Sequence, residues 1–491
     1  MTGGIPHDPG AARLARSPAC PHYRGMNAAA QHPDLPESYR PDPAILALAD
    51  WIGDPVAPAD FPETRLRFRN DRAAASVGLA GLDEAAWTAH FARFAALPGN
   101  LPQPLALRYH GHQFRNYNPE IGDGRGFLYA QMRAGDGRLM DLGTKGSGTT
   151  PWSRTGDGRL TLKGAVREVL ATEMLEALGA NTSKTLSVIE TGESLWRNDE
   201  PSPTRSAVLV RLSHSHIRIG TFQRLLAYEL QDEMEQLVDY CLTHFPGPPP
   251  PEDAPGRDEP AIRLVHNVVE RMADLAASYM VAGFVHGVLN TDNMNVTGES
   301  FDYGPWKWLS RWDPGFTAAS FDYSGLYAFG RQPEALHWNC GQLAVALRLL
   351  ADTAPLVAAL ERFGPLYMAN VAQRWCWRLG VAPRGLEADT QMIAACEAQL
   401  RESGVQPDTF FFTQRNSPSS LLDGYEQVGV SHEYWTDAAP QALVLDEVEA
   451  IWAAIDRDDD WAPFHAKIAA IRRMGEAHGT PPAPAGHGPN P

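Results

Sequence analysis

Apolar positions recur along this chain with two different periods, and the change of period divides it. Between about residues 105 and 210, short aliphatic and aromatic runs alternate with glycine-containing turns: Phe127-Leu128-Tyr129-Ala130, Leu139-Met140-Asp141-Leu142 and Ala207-Val208-Leu209-Val210-Arg211. Runs of this length between turn formers predict strands. One segment among them has helical spacing: Val166, Val169, Leu170 and Met174 make one stripe of a helix predicted over residues 162–178.

After about residue 220 the helical period takes over. Leu264, Val265, Val268, Met272, Leu275 and Tyr279 share one face of a helix over residues 262–282. Further helices are predicted over residues 224–244, 335–351, 355–378, 388–403 and 442–474. Residues 246–260, rich in proline and acidic side chains, read as an exposed loop. Residues 50–98 carry short helical patterns such as Asp83-Glu84-Ala85-Ala86-Trp87. Residues 1–40 and 476–491 read as disordered tails.

The predicted fold class is α+β. Residues 41–222 form a helical lead-in and a small β-rich N-terminal lobe, and residues 223–475 a larger helical lobe with extra C-terminal helices. A sheet carrying one helix is the make-up of a small nucleotide-binding lobe, so a protein-kinase-like two-lobed arrangement is expected.

Composition narrows the partners. The 491 residues include 42 Lys and Arg against 59 Asp and Glu, a formal net charge of −17. So acidic a surface is a poor substitute for counterions, which argues against nucleic acid, while a local basic cluster can still bind ATP. Five cysteines, Cys20, Cys241, Cys340, Cys376 and Cys396, show no metal-ligand spacing and read as reduced thiols of a cytoplasmic protein. No apolar run approaches the roughly 20 residues of a membrane span. The N-terminus lacks the apolar core of a secretory signal, and its few arginines leave an organellar address as the alternative location.

Five pieces that can carry chemistry follow in order. Ile121-Gly122-Asp123-Gly124-Arg125-Gly126 can bring backbone N–H groups close to phosphate, or can simply be a hairpin turn. Lys145 ends the next predicted strand, and Glu168 lies on the helix after it. In kinase-like folds a strand lysine reaches the phosphates and is held by a helix glutamate; taken singly, each also reads as a solvated charge. The fourth piece is His286-Gly287-Val288-Leu289-Asn290-Thr291-Asp292-Asn293, and the fifth Asp302-Tyr303-Gly304. They parallel a kinase catalytic loop and its Asp-Phe-Gly, with Asn293 and Asp302 offering oxygen ligands suited to Mg²⁺. Val288 stands where the kinase base belongs and cannot accept a proton, which disfavours ordinary phosphoryl transfer. Asp292 offers another carboxylate, as a base or as a turn cap.

These stretches resemble the selenoprotein O family. The resemblance spans roughly residues 104–350. It is carried by Tyr109-His110-Gly111-His112-Gln113-Phe114, Gly122-Asp123-Gly124-Arg125, Lys145-Gly146-Ser147-Gly148-Thr149-Thr150-Pro151-Trp152-Ser153-Arg154, Gly156-Asp157-Gly158-Arg159, the loop Gly283–Met294, Phe301-Asp302-Tyr303-Gly304-Pro305 and Gln332-Pro333. The resemblance implies a pseudokinase fold that binds ATP flipped and transfers AMP to Ser, Thr or Tyr hydroxyls of target proteins with Mg²⁺ or Mn²⁺. It implies that Gly122, Gly124, Arg125, Lys145, Asp157, Gly158, Arg211, Arg218 and Asp302 contact ATP, with Glu168 pairing Lys145. Asp292 matches the proton acceptor, and Asn293 and Asp302 match the metal ligands. Two departures stand out: Arg115-Asn116-Tyr117-Asn118-Pro119-Glu120 replaces a glycine- and alanine-containing stretch of many relatives, and the tail after Cys396 has no cysteine.

The rival readings are a phosphotransferase, against which Val288 counts, and a nucleotide-binding scaffold, against which the retained metal ligands count. The paired histidines His110 and His112, like His214 and His216, read as structural residues on strand faces rather than a zinc site.

Overall fold

In the computed structural model, which describes residues 35–198 and 200–485, the strand-forming runs assemble into one curled antiparallel sheet followed by a helical C-terminal part. The strands of the first half are β1 (Gly53–Pro55), β2 (Arg65–Arg69), β3 (Leu105–Leu107), β4 (Gly111–Gln113), β5 (Asn116–Asn118), β6 (Leu128–Arg133), β7 (Leu139–Lys145), β8 (Leu160–Thr161), β9 (Lys184–Leu195) and β10 (Thr204–Ser213). The sheet runs β1-β3-β6-β7-β10-β9-β2, with β8 added to β10, while β4 and β5 form a separate hairpin.

Every residue of β7 is buried, because the sheet is covered on both faces. Helices α1 (Ala49–Ile52), α2 (Asp71–Ser76) and α3 (Glu84–Phe91) come from the lead-in, and α4 (Leu162–Ala177) from the predicted helix. Val166, Val169, Leu170 and Met174 of α4 pack with Val188 and Leu209 on one face. Trp87 and Phe91 of α3 pack with Phe127, Tyr129, Ile189 and Val210 on the other. Two-sided burial is why these strands read as continuous apolar runs instead of alternating ones.

The helical part comprises α5 (Ile219–Ala227), α6 (Gln231–His244), α7 (Pro260–Ala282), α8 (Gln332–Leu347), α9 (Thr353–Glu361), α10 (Phe363–Leu379), α11 (Leu386–Ser403), α12 (Pro407–Asn416), α13 (Leu445–Asp458) and α14 (Ala462–His478). A short ladder of β11 (Phe284–Val285) and β12 (Lys307–Trp308) lies among them. Helix α7 starts on Pro260, is buried along almost its whole length, and stops at Gly283 in the left-handed region at φ 66°. Helices α6, α8, α9 and α10 pack around it.

The structure refines the predicted elements. The lead-in holds β1 and β2 besides helices, and α12 lies where no helix was expected. The helix predicted over 224–244 is two, α5 and α6, parted at Glu229 with φ 54°. That over 355–378 divides at Arg362 into α9 and α10. That over 442–474 divides at Asp459 into α13 and α14. Asp459 takes φ 50° while its carboxylate accepts from Arg205 at 2.8 Å and Arg67 at 3.1 Å, which ties the break to the sheet. Helix α14 carries past the expected tail boundary at 476 to a buried His478, and the Ala485 N–H donates to Asn370 Oδ1 at 2.6 Å. The rest of both expected tails, residues 1–34 and 486–491, lies outside the described residues. Helices α13 and α14 fold back onto α4, where Arg472 makes two bonds to Glu173 at 2.7 and 2.6 Å.

Cys241, Cys340, Cys376 and Cys396 are unpaired and buried. Among the described residues no helix is long and apolar enough to cross a membrane.

Candidate active site

Sheet register builds the floor of the site. Lys145 ends β7 opposite Leu209 of β10, so Arg211, two residues on, projects to the same face. Lys145 Nζ donates to Glu168 Oε2 of α4 at 2.6 Å, and both side chains are buried. Burial pushes the Lys145 ammonium below its usual range, and the Glu168 carboxylate works in the opposite direction.

Arg211 is held from behind. Its Nε donates to His216 Nε2 at 3.1 Å, and the His216 ring nitrogen Nδ1 and backbone N–H both meet Asp141 Oδ2, at 3.2 and 2.8 Å. Burial lowers the His216 pKa, which fits a neutral ring that donates through Nδ1 and accepts through Nε2. His214 bonds the Leu139 carbonyl at 2.9 Å, His110 the Tyr117 hydroxyl at 2.5 Å, and His112 the Gln223 amide at 2.7 Å.

Asp302 sits between two arginines. Its two oxygens accept separately from Arg211 Nη1 and Arg218 Nη1, and its own backbone takes φ 60°. Burial pushes its carboxyl up, but Arg211, Arg218 and Lys145 hold it well below the usual carboxylate range. Arg218, on the residue before α5, also donates to the Asp292 carbonyl at 2.6 Å and faces Asp123 Oδ1 at 3.4 Å.

The β4–β5 hairpin clamps the loop of residues 286–293. Its two turn residues, Phe114 and Arg115, have φ of 50° and 64°, the pair of positive angles that marks a two-residue type I′ connection. The Phe114 N–H and the Tyr327 hydroxyl both donate to Asn290 Oδ1, at 2.9 and 2.8 Å. The His112 N–H donates to Thr291 Oγ1 at 2.7 Å, and that hydroxyl donates to Gln223 Oε1 at 2.6 Å. The Gln223 amide returns to His112 Nδ1, closing a ring of hydrogen bonds. Asp292 follows directly. Its Oδ1 is buried and has no hydrogen-bond partner among the described residues. Burial, working against Arg218, raises the Asp292 carboxyl to about 6. Asn293 donates Nδ2 to the Val288 carbonyl at 3.1 Å, which leaves its Oδ1 as the end available to a cation.

The glycine segment is roofed, not a free hairpin turn. A Cβ on Gly122 would lie 2.5 Å from the Trp152 indole, and one on Gly124 2.9 Å from the Trp152 carbonyl oxygen. Thr150 Oγ1 donates to the Asp123 carbonyl and Ser153 Oγ to the Gly124 carbonyl, each at 2.5 Å. Asp157 receives both Arg197 terminal nitrogens, at 2.8 and 3.1 Å. Gly158 passes so near Gly148 that a Cβ would come within 2.3 Å of its backbone.

These pieces converge on one cleft of about 770 Å³. Gly122, Gly124, Arg125, Lys145, Asp157, Gly158, Arg211, Arg218, Asp292, Asn293 and Asp302 all line it, with Glu168 behind Lys145. Val288 lines it too. Sequence reasoning passed over Tyr109, Asp123, Trp152, Arg154, Trp196 and Arg197, which share the wall. Tyr109, Asp123, Trp152 and Arg154 fall within the stretches that resemble the family, but nothing in their spacing sets them apart from their neighbours.

A lysine and two arginines gathered over buried carboxylates suit a polyanionic phosphate ester better than an apolar ligand. The cleft is that of a nucleotide-handling transferase. Comparison with known proteins supplies the particular kind. Residues 38–428 match the family described as protein adenylyltransferase SelO. Proteins named protein nucleotidyltransferase YdiU are similar along most of their length. That of Gloeobacter violaceus is 43% identical over 474 residues, covering 88% of this chain and 95% of the relative. That of a Synechocystis species is 41% identical over 473 residues, covering 88% and 97%. That of Pseudomonas aeruginosa is 37% identical over 379 residues, covering 76% and 75%. The chain belongs to the SelO family of protein adenylyltransferases.

Proposed function

We propose that this protein transfers AMP from ATP to Ser, Thr or Tyr hydroxyls of other proteins, in the cytoplasm, through the cleft between a β-rich lobe (residues 41–222) and a helical lobe (residues 223–475) of kinase-like arrangement. The observation that carries the reading is Asp292: it lines the cleft and has a buried carboxylate oxygen with no hydrogen-bond partner among the described residues, while the kinase base position holds Val288.

In the reaction the acceptor oxygen bonds to the α-phosphorus and its proton passes to Asp292. The bond from the α-phosphorus to the bridging oxygen breaks, and pyrophosphate leaves. Lys145, Arg211 and Arg218 stabilise the charge on the leaving group. A carboxyl raised to about 6 is ionised at neutral pH yet basic enough to take up a proton. Gly122, Gly124, Arg125, Asp157 and Gly158 shape the wall that cradles the nucleotide. Asp157 acts through Arg197, which holds both its oxygens.

The donor set fits Mg²⁺, or Mn²⁺ in its place. Asn293 Oδ1 and Asp302 supply two protein oxygens, and Mg²⁺ is commonly held by one or two such ligands plus phosphates and water. When bound, the metal neutralises phosphate charge. Both Asp302 oxygens keep lone pairs for a cation beside their arginine partners. Four buried, unpaired cysteines suit a reducing compartment.

The test uses ATP labelled separately at the α- and γ-phosphates, with Asp302→Ala as control. Label on protein from the α-position alone, lost in the variant, is expected. Label from the γ-position overturns the reading in favour of a kinase, and ATP binding without any labelling favours a scaffold.

A further inference from the structure

Exposed aromatic side chains are few, and their placement is not random. Among the described residues five are exposed: Tyr117, Trp196, Tyr228, Phe321 and Tyr323. Trp196 lines the cleft itself. Tyr117 lies on β5 of the β4–β5 hairpin, and Tyr228 and the turn that carries Phe321 and Tyr323 pack beside that hairpin. On one side, the His110 ring stands 5.7 Å from Tyr117 and 5.4 Å from Tyr228. On the other, Phe114 of the hairpin turn stands 5.8 Å from Phe321 and 5.0 Å from Tyr327.

The Phe321–Tyr323 turn is built to present its rings outward. Asp322 between them is buried and accepts the N–H groups of Leu326 and Tyr327 at 2.9 and 2.8 Å. With the central side chain turned in and fastened, its neighbours face out, Phe321 at 53% exposure and Tyr323 at 94%. Large apolar groups held in solvent by a fixed turn mark an interaction surface, and aromatic residues are enriched where proteins meet.

Continuity with the candidate base identifies the occupant. Phe114 and Tyr327 hold Asn290, two residues before Asp292, and Gly111 of the same hairpin lies against the Asp292 side chain. A hydroxyl brought to Asp292 must therefore arrive beside this hairpin. An extended chain advances about 3.3 Å per residue, so side chains a few residues from the hydroxyl fall on the aromatic groups at either side.

We propose that the hairpin, with Phe321 and Tyr323 on one side and Tyr117 and Tyr228 on the other, is the docking surface for the acceptor polypeptide. It takes an extended segment that carries apolar side chains within about four residues of the modified hydroxyl. This rests on the AMP-transfer reading above.

The test compares AMP transfer from α-labelled ATP to synthetic peptides, each with one Ser, Thr or Tyr, flanked at each nearby position by Leu or Phe in one set and by Gly or Ser in the other. Wild-type protein is expected to favour apolar flanks. In Phe321→Ser/Tyr323→Ser, KM for the apolar-flanked peptides rises about tenfold, the usual scale for interface anchors, while KM for ATP is unchanged. Tyr323→Ala alone, at the most exposed of these positions, carries the test should the double variant be less stable. Transfer by wild type and variant with the same flank preference overturns the docking surface and leaves the AMP-transfer reading standing. Absence of transfer by wild type to every peptide and to protein overturns both. A change from dimer to monomer in the variant, with flank preference intact, assigns the aromatics to a contact between copies and overturns the proposal.

Discussion

Gly111 and Asp292 occupy space that only a glycine leaves open: a Cβ at Gly111 would lie 2.9 Å from Asp292 Oδ1 and 3.1 Å from its Cβ. The strand residue and the loop carboxylate, far apart in sequence, fit together without a side chain between them. Gly111→Ala is expected to displace the Asp292 carboxylate and lower AMP transfer roughly 100-fold, the scale of an ångström-sized misplacement. ATP affinity, measured by calorimetry, should stay within about twofold, because the proposed function gives Asp292 a role toward the acceptor and none in holding ATP. An unchanged rate would remove Asp292 from the reaction.

Lys145 and Glu168 are buried as a pair, and without Lys145 the Glu168 carboxylate keeps only Arg211, at 3.8 Å, as a cationic neighbour. Lys145→Met is expected to destabilise the fold by about 3–5 kcal/mol in urea unfolding, the scale for an uncompensated buried charge. Adding Glu168→Leu should restore most of that loss while ATP affinity stays low. Recovery of ATP binding in the double variant would show that Lys145 has no part in holding phosphate.

Asp302 balances Arg211 and Arg218. Asp302→Asn leaves two buried guanidinium groups without their shared carboxylate, so the melting temperature of the free protein should fall. ATP added without metal then meets arginines already released. It should raise the melting temperature more in the variant than in the wild type, although transfer is lost. Equal ATP-induced rises would place the phosphates away from Arg211 and Arg218.

Glu299 lies outside the cleft and is buried, with Oε2 accepting the His214 N–H at 2.9 Å. Burial raises its carboxyl from 4.5 to about 7. The folded state therefore binds this proton more tightly than the unfolded chain. The resulting stabilisation is complete below about pH 4.5, declines as pH rises, and is lost as pH passes through about 7. Glu299→Gln keeps an acceptor oxygen and removes the ionisation. The variant should gain stability relative to the wild type between pH 5 and 8, each tenfold difference in proton affinity between the folded and unfolded states contributing about 1.4 kcal/mol. Parallel stability curves for the two proteins would contradict this.

Much of the fold was legible because burial imposes a period. Helix α4 and helix α7 stand where their apolar stripes placed them, and β6, β7 and β10 where the continuous runs did. What escaped had a weaker or competing signal. Strand β2, Arg65-Leu66-Arg67-Phe68-Arg69, alternates as an edge strand does, but it is short, carries three arginines and lies within a stretch, residues 50–98, whose pattern is helical. The breaks at Glu229 and Asp459 place non-glycine residues at positive φ; glutamate gives no turn signal, and the signal of the run Asp458-Asp459-Asp460 is masked by the helical period on either side of it. At Asp459 the conformation is fastened by Arg67 and Arg205, residues from distant strands.

The sequence by itself determined the principal strands and helices, the family, and the roster of chemical groups, since local periodicity and the string around His286–Asn293 are properties of neighbouring residues. The tertiary structure alone decided which of those groups meet. Arg218 reaches Asp302 across 84 residues and Asp123 across 95. The glycine segment became a roofed wall because Trp152 lies over it. Asp292 Oδ1 is buried by the surrounding hairpin and has no hydrogen-bond partner among the described residues, a circumstance no local pattern announces. Hydrogen bonds and ion pairs between distant residues carry no period in the chain, so only folding reveals them.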